Sequence, residues 1–210
     1  MIYPYSDIRK VPLDYEGITS SALAVQRKDY QDKSGIEKWK ECGVVGSNYL
    51  LVPNSEVKDL ANEIATKSVH QWEPMKEYFD GKKFVYFMQS KSETTEIAQG
   101  DDVSLGMGFW NSYDGSRSFG FSLMLYRLVC LNGMMSKMHL QNHRFKHSPS
   151  SENWNEQLEA MVHVINGSQD GNNKGLNQMV EGIAALNDYM ITAKQLGLVR
   201  HNYLKEIPTG

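Results

Sequence analysis

DDVSLGMGFWNSYDGSRSFGFSLMLYRLVCLNG, residues 101–133, is the stretch on which the reading of this chain turns. Ahead of its turn, Val103, Leu105, Met107 and Phe109 alternate with Ser104, Gly106, Gly108 and Trp110. Beyond it, Phe119, Phe121, Leu123 and Leu125 alternate with Ser118, Gly120, Ser122 and Met124. Successive side chains of a strand point to opposite faces, so each run has one apolar face and one mostly small face. Asp114-Gly115 between the runs is a hairpin signal. A two-residue loop would set Phe109 beside Gly120, an apolar row against a small one. A three-residue loop, Tyr113-Asp114-Gly115, sets Phe109 beside Phe119, Met107 beside Phe121 and Leu105 beside Leu123, and puts one whole face in the core. The spacing therefore predicts the three-residue loop, with Gly115 in the left-handed region. The opposite face becomes a strip of Ser104, Gly106, Gly108, Ser118, Gly120 and Ser122. A packed helix, a ligand or a nucleic-acid backbone could approach such a strip closely.

Upstream, residues 83–90 (KFVYFMQS) are β-branched and aromatic and read as a strand, followed by a polar connection over 92–100. Residues 18–28 and 39–52 read as two earlier strands, and residues 1–17 as an extended arm. Pro53-Asn54 stops the second of these strands. Asn54 is placed to cap a helix from Ser55, with Glu56 in its first turn. Val57, Leu60, Ala61, Ile64, Ala65 and Val69 form its apolar face. Downstream, a helix is expected over 131–145, a second over 154–165 and a third over 176–196 ended by Gly197. The expected fold is α+β: a mainly antiparallel sheet with a central hairpin, one helix inserted after the second strand, and helices grouped at the C-terminus. Residues 1–147 make the sheet domain and residues 148–210 a helical region packing on it, or the two form one domain.

With 210 residues the chain can build one sizeable core. No apolar run reaches the roughly 18–20 residues of a membrane span, and the N-terminus lacks the apolar stretch of a signal peptide. Cys42 and Cys130 have no partners at metal-ligand spacing and read as buried thiols of a reducing cytoplasm. The net charge of −3 hides an asymmetry. Between Gly115 and Ser151 there is no Asp or Glu, while Arg117, Arg127, Lys137, Arg144 and Lys146 all fall there. That window carries +5 with histidines neutral, so the remainder carries −8. Such segregation is the footprint of an anionic partner, or of a basic segment that docks on an acidic one.

His139, His143 and His147 are spaced four apart, and on a helix the first two would stack as metal ligands do. No Asp, Glu or Cys stands nearby as a third ligand, so a basic surface is the preferred reading and no metal is assigned. Arg127, in an apolar run, requires either a carboxylate such as Asp102 or Asp114 or an external anion. Asn111 and Asn132 are read as satisfying turn backbone. GVVGSN (residues 43–48) lacks the P-loop lysine and precedes a strand, and no catalytic constellation stands out.

Two stretches, VVGSNYLLVPNSEV (residues 44–57) and NSYDGSRSFGFSLMLYRLVCLNG (residues 111–133), resemble the signature segments of phage/plasmid-like "domain of unknown function" proteins. Members of that family carry a Val-Gly-x-x-Tyr-x-x-x-x-Asn run before a helix. They also carry an Asn-Ser-His-Asp-Gly-Ser turn followed by Arg-x-Val-Cys-x-Asn. Tyr113 stands here in place of the histidine, and the resemblance covers most of residues 40–135. It implies mobile-element origin and a role in DNA replication or recombination. The sheet with helices also looks like single-strand annealing proteins, by fold analogy alone.

Together these readings point to a cytoplasmic phage- or plasmid-type DNA-transaction protein that binds or anneals single-stranded nucleic acid as a homo-oligomer, without catalysis or cofactor. The expected contacts are Trp110, Tyr113, Arg117, Arg127, Lys137, Arg144 and Lys146, aromatics beside cations being what single strands stack on. The competing class is an interaction module whose basic segment docks on an acidic partner or neighbouring subunit. An enzyme whose site forms only in space is the third.

Overall fold

Strand pairing divides the chain into two antiparallel sheets. The structure, a computed structural model, describes residues 4–29, 38–98, 101–128, 135–148 and 154–167. Strands β1 (Ile8–Tyr15), β2 (Ile18–Asp29) and β3 (Lys38–Gly46) form the first sheet in that order. Helix α1 (Asn54–Lys67) follows. Strands β4 (Trp72–Phe79), β5 (Lys83–Ala98), β6 (Asp101–Ser112), β7 (Phe119–Leu128) and β8 (Met135–Phe145) form the second sheet, a five-stranded meander in chain order. Helix α2 (Trp154–Gly167) closes the described part.

The apolar rows of β5, β6 and β7 make one sheet face, on which Phe84, Tyr86, Met107, Phe109, Phe121 and Leu123 are buried. Val57, Ala61 and Ile64 of α1 and Met161 and Ile165 of α2 complete that core. The expected helix face is thus the buried one, but α1 stops at Lys67, where Ser68 N–H donates to the Ile64 carbonyl, and Val69 is left exposed. A second, smaller cluster of Val25, Cys42, Val45 and Tyr113, with Tyr49 and Phe79 against it, joins the two sheets.

Several expectations are corrected. The single sheet with helices grouped at the C-terminus gives way to two sheets, and among the described residues there are two helices. The first of them follows the third strand rather than the second, because the arm itself contributes β1. Residues 135–145, expected as helix, are strand β8, paired with β7 across one bulge and at the sheet's edge among the described residues. The expected helix over 176–196 and Cys130 lie outside the described residues. Asn54 does not cap α1: Pro53 holds the cap position and Asn54 opens the helix, its side chain employed elsewhere.

The hairpin register is also corrected. Phe109 pairs with Phe121, Met107 with Leu123 and Leu105 with Leu125, two residues away from the expected pairing. A shift of two preserves parity, so the apolar rows still face each other. The wider turn arises because Tyr113, whose N–H donates to the Lys82 carbonyl, is drawn into the cluster between the sheets. The turn then closes on Ser112, whose hydroxyl accepts from Arg117 N–H and donates to the Arg117 carbonyl. Asp114 Oδ1 accepts from Ser116 N–H, and Gly115 has the expected positive φ of 71°. Among the described residues no helix is long and apolar enough to cross a membrane.

Candidate functional site

The two stretches that carry the family resemblance meet at the turn end of the second sheet. Asn111 Nδ2 donates to the Val52 carbonyl at 2.8 Å and to Asn54 Oδ1 at 2.9 Å. Asn54 Nδ2 donates to the Pro4 carbonyl, and Asn54 N–H donates to the Tyr113 hydroxyl at 2.9 Å. Tyr49 donates its hydroxyl proton to the Ser112 carbonyl at 2.7 Å and stacks on His147, ring centroids 4.5 Å apart. His147 Nδ1 sits 2.9 Å from the Leu50 carbonyl and so carries its proton there. Gly43 of β3 lies directly against the Asp114 backbone. Buried polar groups need partners, and here each motif supplies donors and acceptors to the other, while Asn111 Oδ1 and His147 Nε2 are left buried without one.

Burial sets the electrostatics of this network. It pushes the Tyr113 and Tyr49 hydroxyls and the Cys42 thiol above their usual ranges, so all three stay protonated. Burial pushes His147 down, against the hydrogen bond to Leu50, so its imidazole stays neutral. At Asp114 burial is outweighed by hydrogen bonds from Ser116 and the charge of Lys83, which hold the carboxyl low. None of these groups is an activated nucleophile. The network is a clamp that holds the arm, the start of α1 and the hairpin turn in one geometry.

The other face of the second sheet carries a different arrangement. Tyr78, Val85, Trp110, Gly120 and Arg144 are paired one to the next and form a row across all five strands. Lys76, Phe87, Gly108, Ser122 and Asn142 form the adjacent row. The Trp110 indole lies flat over Gly120, in space that any side chain at 120 would occupy. Phe87 and Met124 close over Gly108. At Gly108 and Gly120 the small strip is thus covered by the sheet's own side chains, and Ser104 and Ser122 within it are buried. The accessible part is the turn end and rim: Tyr78 is 55% exposed, Trp110 is half-buried, and Arg144 and Asn142 are exposed.

Of the residues singled out in the sequence, Trp110 and Arg144 share this row, while Arg117 lies exposed on the adjoining turn and Lys146 exposed just beyond β8. Lys137 pairs with Tyr126 and, through it, Ser104, in register with the same face. Arg127 pairs with Val103 and Ser136, in the apolar series. The side chains of Lys137 and Arg127 lie outside the described residues. Tyr113 points away from the row, 1% exposed in the cluster between the sheets. His139 pairs with Met124 and His143 with Phe121, with a shift of register between the two pairs. Sequence reasoning missed Tyr78, Lys76 and Phe87. Their signal was the alternation Lys76-x-Tyr78 in a strand disguised by Pro74.

A two-sheet antiparallel fold clamped at one hairpin defines the structural class. The chain matches the family described as "Domain of unknown function (DUF932)" over residues 41–196, most of its length, and belongs to it. No curated protein and no solved structure matches it.

Proposed function

We propose that this protein binds single-stranded nucleic acid, without catalysis, at the turn end of the five-stranded sheet. In this reading it is a DNA-transaction protein of phage or plasmid type working in the host cytoplasm, as the resemblance of its signature segments implies. The observation that carries the reading is the cross-strand row from Tyr78 through Trp110 to Arg144. It sets two accessible aromatic rings on a sheet face, with cations at the rim and no Asp or Glu in that row or the next. Bases stack on such rings whatever their sequence, and cations track the phosphates. Lys76, Arg117, Arg144 and Lys146 are exposed and form no ion pair among the described residues. The clamp of Asn54, Asn111 and Tyr113 supports the site by fixing the turn that carries Arg117.

Phosphate neutralisation makes affinity fall with salt, by about −0.7 in log–log slope per contact for single strands. Four contacts give a slope of about −3. The test is fluorescence anisotropy of a labelled oligonucleotide across about 50 to 200 mM salt, where that loss is large. Arg144→Glu with Lys146→Glu is expected to abolish binding with circular dichroism unchanged. A folded wild-type chain that binds no oligonucleotide at the lower salt overturns the proposal.

A further inference from the structure

A cleft of about 230 Å³ runs along α1, on the helix side of the second sheet. Val52, Val57, Leu60 and Phe119 line it with apolar surface, and Glu56, Asp59 and Glu63 form its rim. Glu63 is paired with Lys67 at 2.8 Å, and the other cation of α1, Lys58, is held by Glu77 at 3.5 Å and by the rings of Tyr5 and Tyr86. Glu56 and Asp59 are left with no ion pair among the described residues. The Glu56 carboxyl is raised above its usual range, first by burial and then by the charge of Asp59. An apolar floor beneath two uncompensated carboxylates fits a segment that is both apolar and basic.

The chain itself displays such a segment beside the cleft. Phe119, which lines the cleft, stacks on Phe145 of β8 at 5.6 Å. Phe145 is flanked by Arg144 and Lys146, both exposed. Among the described residues β8 is an edge strand, with a neighbour on one side only. The acidic cleft and the basic strand end thus adjoin across the edge of β8 through one aromatic pair, with Arg144, in register with Gly120, on the opposite sheet face. An edge with acidic groups on one face and basic groups on the other is self-complementary under a two-fold rotation about an axis in the sheet plane, which brings each beside its opposite in a second copy.

We infer that the α1 cleft is a self-association surface that receives the Arg144–Lys146 end of β8 from a second copy of this chain, in a two-fold pair. The segregation of charge along the sequence then has a purpose within the molecule: the window without acids meets the acidic remainder across the interface. This inference does not depend on nucleic-acid binding, and its test separates the two.

The experiment is sedimentation velocity of the full chain over a range of protein concentration and salt, with circular dichroism to check folding. Wild type is expected at twice the chain mass at low salt, shifting to the single mass as salt rises. Glu56→Lys with Asp59→Lys makes both halves basic, and Arg144→Glu with Lys146→Glu makes both acidic. Each is expected to sediment as a single chain, and an equimolar mixture of the two to regain the doubled mass. The milder Glu56→Gln with Asp59→Asn is expected to move dissociation to higher protein concentration, and decides the matter if a reversed variant misfolds. The inference is overturned by a wild type that stays single throughout, by a folded reversed variant that keeps the doubled mass, or by a mixture of folded variants that fails to pair. Glu56→Lys with Asp59→Lys lies outside the nucleic-acid row. Loss of its self-association with oligonucleotide binding retained separates this surface from the proposed function.

Discussion

The two faces of the five-stranded sheet are built from the same strands, yet they are suited to opposite tasks. On the helix side, Phe109, Phe121 and Leu123 are sealed beneath α1 and α2, and their contribution is stability. On the other side the residues at alternate positions are Gly, Ser and Trp, and large rings from neighbouring positions lie over the gaps. The Trp110 indole covers Gly120, its own cross-strand partner, and stays half-buried. In the proposed reading, alternation with a period of two separates stability from recognition at single-residue resolution. Substitutions one residue apart should therefore have different consequences.

The largest effect is expected on the sealed face. Phe121→Ala empties a fully buried position against Phe109 and should cost about 3–5 kcal/mol in denaturant unfolding. A loss below about 1 kcal/mol would mean that the face is not packed as described. Next comes the clamp. Asn111→Ala leaves the Val52 carbonyl and Asn54 Oδ1 without their donor, and should cost about 2–4 kcal/mol, since each buried orphan is costly. Gly115→Val is smaller, about 1–3 kcal/mol, and is a matter of backbone strain at positive φ. A Cβ there would meet Val45 and Tyr49 only at ordinary contact distance.

The smallest effect is a pH dependence. Burial depresses the folded-state pKa of His147 below its ordinary value of about 6.5. The unfolded chain therefore takes up this proton first, and the stability that comes from neutral His147 is present above that value and lost as pH falls. Unfolding free energy should decline from pH 7.5 to about 5.5, a range that crosses the ordinary histidine pKa. His147→Gln should flatten the slope. An unchanged slope in that variant would assign the dependence to another group.

Much of this comparison was legible before any coordinates. Alternation in residues 103–125 identified which side chains share a face, and Asp114-Gly115 located the turn and its left-handed residue. Alternation is blind to a slip of two, however, and so the register was missed. What set it was the non-local burial of Tyr113 between the sheets. The strands overlooked were β1, β4 and β8, and all three are sheet edges among the described residues, with an irregularity in their pairing. Pro12 and Pro74 sit at two of these irregularities, where an edge tolerates them. In β8 the bulge interrupts the period of two, and His139 and His143 at a spacing of four then mimic a helix. The row from Tyr78 to Arg144 needs β4 and β8, so only its centre, Trp110, and its end, Arg144, could be named from the sequence.

The central claim is that the face carrying Trp110 recognises while the face carrying Phe121 stabilises. It is tested most directly by measuring oligonucleotide affinity and unfolding free energy on the same sample of Trp110→Ala. The account predicts that affinity falls by about 1–3 kcal/mol, the value of one stacked base. Stability should fall by less than it does in Phe121→Ala, because the indole is half-buried and the phenyl ring fully so. Wild-type affinity in a folded Trp110→Ala chain would contradict the account.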